Sequence, residues 1–110
     1  MSEFMYLFRG GQVQGSPEQM QQHMQKWGGW IKELTEKGFF KAGQPLDRTG
    51  KLVKGNPKTV TDGPFAESKD LIGGFLLIDA KDISHAVELS AGCPILETGG
   101  AVEVRPVLKM

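Results

Sequence analysis

Residues 16–38 read SPEQMQQHMQKWGGWIKELTEKG, and this stretch decides the fold. Ser16 is placed to cap a helix, Pro17 suits its first turn, and Gln19 completes a capping-box pattern. Met20, Met24, Trp27, Ile31 and Leu34 then recur at alternating spacings of four and three. That period puts them on one apolar face of a long helix. Gly38, directly after a lysine, ends it.

Outward from this helix the pattern turns to strands. Residues 4–9 are aromatic and apolar and stop at Gly10-Gly11, which predicts a buried strand. Residues 39–43 predict a second strand, ending near Gln44-Pro45-Leu46. Residues 47–57 read as loop or a short hairpin, with Thr49-Gly50-Lys51 and Gly55-Asn56-Pro57 as turn signals, and 58–61 as a short strand. Residues 73–80 form a clear buried strand. Asp82 is placed to cap a second helix reaching about residue 91, with Ile83, Ala86, Val87 and Ser90 on its inner face. Residues 100–108 alternate and read as the last strand. The order is strand, helix, strand, insert, strand, helix, strand. It predicts an α+β domain of the ferredoxin-like split β-α-β type, with an inserted hairpin or loop, spanning 1–110 as one domain. Helices on one sheet face leave the other uncovered, and pairing two sheets in a homodimer is the usual way to hide it.

The totals narrow the function classes. Thirteen Lys and Arg balance thirteen Asp and Glu, so there is no basic excess of the kind a nucleic-acid partner calls for. No stretch approaches the roughly 20 apolar residues needed to cross a bilayer, and the first residues lack a signal-peptide pattern. The single cysteine, Cys93, allows neither an internal disulfide nor a thiolate cluster, which favours a cytoplasmic setting. No phosphate loop, dinucleotide fingerprint or zinc spacing occurs, so neither cofactor nor metal is expected.

The segment Val60-Thr61-Asp62-Gly63-Pro64-Phe65-Ala66-Glu67-Ser68-Lys69-Asp70, followed by Leu71-Ile72-Gly73-Gly74-Phe75, resembles the signature of the DGPF subgroup of the YCII-related proteins. Gly38-Phe39-Phe40-Lys41-Ala42-Gly43-Gln44-Pro45-Leu46, Ala91-Gly92-Cys93-Pro94 and Val102-Glu103-Val104-Arg105-Pro106-Val107 resemble other family segments, so the likeness covers nearly the whole chain. It implies a dimeric α+β barrel. Related YCII-type proteins are proposed to use a His-Asp pair as acid and base, and at least one is a dehydrochlorinase of aromatic ring degradation. Others lie beside, or are fused to, alternative sigma factors, which implies a regulatory role. Fold alone does not choose between these.

His23 is the first candidate for acid–base chemistry, on the long helix one turn before Trp27. The resemblance puts the family's histidine nearer Trp27 itself. The competing reading is a boundary histidine that packs its ring. Asp47, after Pro45-Leu46, matches where YCII-type proteins place their acid, and is equally a turn-starting aspartate. Asp62 opens the Asp-Gly-Pro-Phe turn and is either a site acid or a backbone-bonding turn residue. Trp27 is a ring contact for a small-molecule ligand or simply core. Phe65 and Lys69 follow on the same loop as a pinning ring and a cleft-mouth cation, or as core and solvated charge. Arg9 and Arg105, near strand ends, are candidates to grip a carboxylate or phosphate, against ordinary salt bridges. Two functions stand open: a small enzyme doing elimination or isomerisation through His23 with Asp47 or Asp62, and a non-catalytic ligand-sensing or regulatory module.

Overall fold

The computed structural model describes residues 1–11, 15–47, 49–62 and 71–110. The elements run β1 (Ser2–Arg9), α1 (Pro17–Glu36), β2 (Phe40–Pro45), β3 (Lys51–Lys54), β4 (Thr59–Asp62), β5 (Ile72–Ala80), α2 (Ile83–Ser90), a 3-10 helix (Pro94–Thr98) and β6 (Ala101–Pro106). Two helices and an antiparallel sheet make an α+β fold. The main sheet has the order β2-β5-β1-β6, and β3 pairs with β4 in a separate hairpin. Among the described residues no helix is long and apolar enough to cross a membrane.

Alternation on the two central strands sorts the sheet into faces. Phe4, Tyr6 and Phe8 of β1 are buried, as are Leu76, Ile78 and Ala80 of β5, and the register sets Tyr6 opposite Leu76 and Phe4 opposite Ile78. Both helices cover this face. Trp30 of α1 stacks on Tyr6 at 6.1 Å and gives its indole N–H to the carbonyl of Leu89, while the Tyr6 hydroxyl donates to the carbonyl of Ala86. These two bonds satisfy the polar tips of the two largest core rings. The opposite face carries half-buried Met5, Leu7, Phe75 and Leu77. Its margins are charged: Lys41 pairs with Glu3 at one edge and Arg9 with Glu103 at the other.

The ends of α1 follow the sequence signals. Ser16 and Gln19 form the capping box, and Gly38 takes φ +83° past the Lys37 C-cap, a conformation that favours glycine. The apolar stripe is only half buried. Trp30 and Leu34 sit in the core, with Trp27 and Ile31 packed beside them, whereas Met20 and Met24 are 50% and 69% exposed. The first half of the helix therefore overhangs the sheet.

Other boundaries move for local reasons. The second strand begins at Phe40 rather than 39 and ends at Pro45, near the expected Gln44-Pro45-Leu46, because Gln44 and Pro45 still pair with Phe75 and Gly74. A proline is tolerated there because β2 is an edge strand. Residues 47–57 and 58–61 resolve into one hairpin, in which Lys51 faces Asp62 and Lys54 faces Thr59. All its residues are exposed. The inner face of α2 is Ala86, Leu89 and Ser90. Ile83 and Val87, expected inside, are 45% and 50% exposed. So short a helix reaches the sheet along one narrow row, and the Tyr6 bond to Ala86 fixes which row that is. The last strand is Ala101–Pro106, and Val107 continues only as far as one bond to Glu3.

Candidate functional site

A cavity of about 490 Å³ opens beneath the middle of α1. The helix supplies His23, Met24, Trp27, Gly28 and Ile31. Phe8, Phe40, Leu76 and Ile95 add apolar walls, and the ends of β1, β2 and β5 add glycines. Those glycines explain why a void exists. A Cβ on Gly43 would come within 2.2 Å of a Leu76 methyl and 2.7 Å of the Phe75 carbonyl oxygen, and one on Gly74 within 3.0 Å of the Gln44 carbonyl oxygen. Backbone thus packs on backbone at the cavity floor, with no side-chain volume to fill the space under the helix.

His23 is the ionisable side chain on this wall among the described residues. It is half-buried, and its Nε2 accepts the indole N–H of Trp27 at 2.9 Å, the two rings lying at 76° to each other. The i,i+4 spacing on α1 brings them together. An Nε2 that accepts is unprotonated, so the neutral ring carries its proton on Nδ1. Trp27 is held in turn, edge-on to Phe8 at 4.9 Å and to Trp30 at 5.8 Å. His23 is thereby tied through Trp27 to the aromatic core. It can offer an N–H to a ligand, and it acts as a base at Nε2 only by giving up the Trp27 bond.

The other expected site residues stand elsewhere. Asp47 is exposed and accepts from the backbone N–H and the hydroxyl of Thr49, at 2.9 and 3.0 Å. Asp62 lies on the hairpin, paired with Lys51 at 2.5 Å. Neither is among the described residues lining the cavity. Arg9 meets Glu103 at 2.7 Å and Arg105 approaches the same carboxylate at 3.8 Å, on the sheet face turned away from α1. Phe65 and Lys69 lie outside the described residues. The structure therefore brings His23 and Trp27 together in the cavity, and Arg9 and Arg105 together on the other face.

Cys93 is buried, and that burial pushes its thiol up to about 11, partly offset by a backbone hydrogen bond from Ile95. It stays protonated at neutral pH and is no nucleophile. Burial also holds the Tyr6 hydroxyl well above its ordinary range, in keeping with its structural bond to Ala86. His85 is used locally, its Nδ1 accepting from the backbone N–H of Lys81 at 3.0 Å and its ring set edge-on to Phe39.

Sequence reasoning missed Gly28, Gly43, Gln44, Gly74, Ile95 and Thr98 as wall residues. A signal for some of them was present. Gly74 falls inside β5, where glycine marks close backbone approach rather than a turn, and Gly28 falls inside α1, where a glycine weakens the helix and asks for another reason.

The family profile of the YCII-related domain matches residues 4–110. No curated protein matches the sequence. Among solved structures, the chain is similar to a 5-chloro-2-hydroxyhydroquinone dehydrochlorinase from Burkholderia phenoliruptrix, determined in complex with 2,5-dihydroxybenzoquinone. That match has a TM-score of 0.52 and 18% identity, over 98% of this chain and 95% of the other. At such identity it speaks for the fold.

Proposed function

The chain belongs to the YCII-related family, and we propose that it acts by acid–base chemistry on a small ring compound held in the cavity beneath α1, with His23 as the acid–base group. One observation carries this reading: an apolar cavity of 490 Å³ has a single ionisable side chain on its described wall, and a tryptophan holds that side chain in one tautomer. The volume lies in the range of small-molecule sites. The solved relative supports a ring as substrate, since its name gives it a chlorinated hydroxyhydroquinone to act on and it was determined with a quinone. Elimination fits better than hydrolysis, because the buried, protonated Cys93 offers no nucleophile. Loss of HCl needs a base to take a proton while chloride leaves, and His23 would be that base once Nε2 leaves Trp27. The local bonds of Asp47 and Asp62 favour His23 working without either carboxylate.

The test is chloride release from 5-chloro-2-hydroxyhydroquinone and related chlorinated ring diols. The wild-type protein is expected to release chloride. His23→Ala is expected to lose about 10²-fold or more in rate with an unchanged circular dichroism spectrum, and Asp47→Asn and Asp62→Asn to lose little. Equal rates in wild type and His23→Ala would sink the assignment. The second reading is a ligand-sensing module without turnover. It is favoured by the Trp27 bond, which occupies the basic nitrogen of His23. Ligand binding with no chloride release from any ring tested would select it. A link to an alternative sigma factor rests on the family resemblance.

The same proposal includes the finer family features. The motif Asp62-Gly63-Pro64-Phe65 supports the DGPF subgroup. The strand order β2-β5-β1-β6 supports a ferredoxin-like protomer of a dimeric α+β barrel. Met5, Leu7, Phe75 and Leu77, ringed by charge, support a homodimer joined through that sheet face. A lone buried thiol is in keeping with a cytoplasmic setting. Light scattering that gives a dimer for the wild type and a monomer for Leu77→Lys would bear out the interface, and a wild-type monomer would remove it.

A further inference from the structure

Two glycines stand side by side in the middle of α1, and they differ in one respect. Gly28 and Gly29 are both exposed, and a Cβ on either would meet no described atom within 4 Å. Packing among the described residues requires neither of them, and each makes the helix less stable than alanine would. Only Gly28 lies on the cavity wall. It comes four residues after Met24 and three before Ile31, both also on the wall, so a side chain there would stand in their row. Gly73, on β5, likewise has no described atom within 4 Å of its Cβ position, but three other wall glycines are accounted for by the protein itself. A Cβ on Gly11 would strike Ile95 at 2.6 Å, and Gly43 and Gly74 are crowded by backbone. At Gly28 no described residue fills the space that the missing side chain leaves.

The described wall also carries no Asp, Glu, Lys or Arg. Its polar side chains are His23, Gln44 and Thr98. The Thr98 hydroxyl already gives its proton to the Ile95 carbonyl at 3.0 Å, and His23 Nε2 is taken by Trp27. A charged ligand would shed water here without finding a counter-charge among the acidic and basic chains of the described wall, which has none. An uncharged ring loses little on entering and gains apolar contact.

We propose that the cavity takes an uncharged, flat ring lying against the bare backbone of α1 at Gly28, and that Gly28 is the residue that sets this ligand class. The inference rests on the cavity being the ligand site. Two dyes with the same skeleton test it: neutral 1-anilinonaphthalene and its anionic 8-sulfonate, titrated by fluorescence into the wild type, Gly28→Leu and Gly29→Leu. Wild type and Gly29→Leu are expected to bind the neutral dye equally and the sulfonate at least tenfold more weakly. Gly28→Leu is expected to bind the neutral dye at least tenfold more weakly than wild type, while both leucine variants melt at higher temperature. Unchanged binding in Gly28→Leu, or an equal loss in Gly29→Leu, overturns the role of Gly28. Equal affinity for the two dyes in the wild type overturns the ligand class but leaves the site standing. Binding of neither dye removes the site itself.

Discussion

The two halves of α1 carry the same apolar period and meet different fates. From Trp30 onward the helix lies on Tyr6, Phe8 and α2, and Trp30 and Leu34 are buried. Towards its start the same stripe hangs over a floor of glycine backbone, and between His23 and Ile31 the helix borders a cavity. The difference lies in what the opposite wall supplies. Aromatic side chains on the middle of β1 rise to meet the second half, while the strand ends under the first half offer Gly10, Gly11, Gly43, Gly73 and Gly74. An amphipathic helix therefore says which side faces inward, and the residues across from it decide whether that side becomes core or pocket.

The comparison is broken most severely by truncating the anchor of the packed half. Trp30→Ala removes a stacked ring and leaves the Leu89 carbonyl without its indole donor. It is expected to cost about 3–5 kcal/mol in urea denaturation. Tyr6→Phe keeps the ring and loses only the bond to Ala86, so about 1 kcal/mol is expected.

An alkaline pH series probes the same half. Cys93 is raised from 9.0 to about 11 in the fold, so the folded state holds this proton more tightly than the unfolded chain does. Its contribution is complete below about pH 9 and is lost as the pH rises towards 11. Denaturation midpoints should fall over that window, and Cys93→Ala should flatten the part of the fall below about pH 10, where unfolded tyrosine begins to ionise. A fall of the same shape in the variant would mean that the thiol plays no part.

The smallest effect belongs to the overhanging half. Met24→Ala, at a residue 69% exposed, should change stability by no more than about 0.5 kcal/mol. A loss of 2 kcal/mol or more, on the order of a buried methionine, would show that this half is packed after all.

Much of the fold was legible because its signals are local. Ser16 and Gln19 fix where α1 starts, Gly38 where it stops, and Asp82 caps α2 through the backbone N–H of His85. The alternation in β1 and β5 reads directly as two sheet faces. What escaped depends on the far side of a contact. Met20 and Met24 have the same spacing as Ile31 and Leu34, and nothing in the helix tells that the sheet gives out beneath them. Ile83 and Val87 look as inward as Ala86 until Tyr6 selects the row. At the site, His23 and Trp27 were legible from their i,i+4 spacing. The bond between them was not, because an imidazole beside an acid and an imidazole beside an indole leave the same trace in one sequence. Gly74 was hidden because a glycine pair is read as a turn before it is read as a contact.

The chain has two histidines and two tryptophans, and the structure places one of each on the cavity wall. NMR of their ring N–H and C–H signals during titration with hydroquinone, an uncharged ring diol, is the most direct test of the cavity as the working site. The signals of His23 and Trp27 are expected to move together and saturate, while those of His85 and of the Trp30 indole N–H stay in place. Shifts confined to His85 or Trp30, or none at all up to the solubility of the diol, would contradict the account.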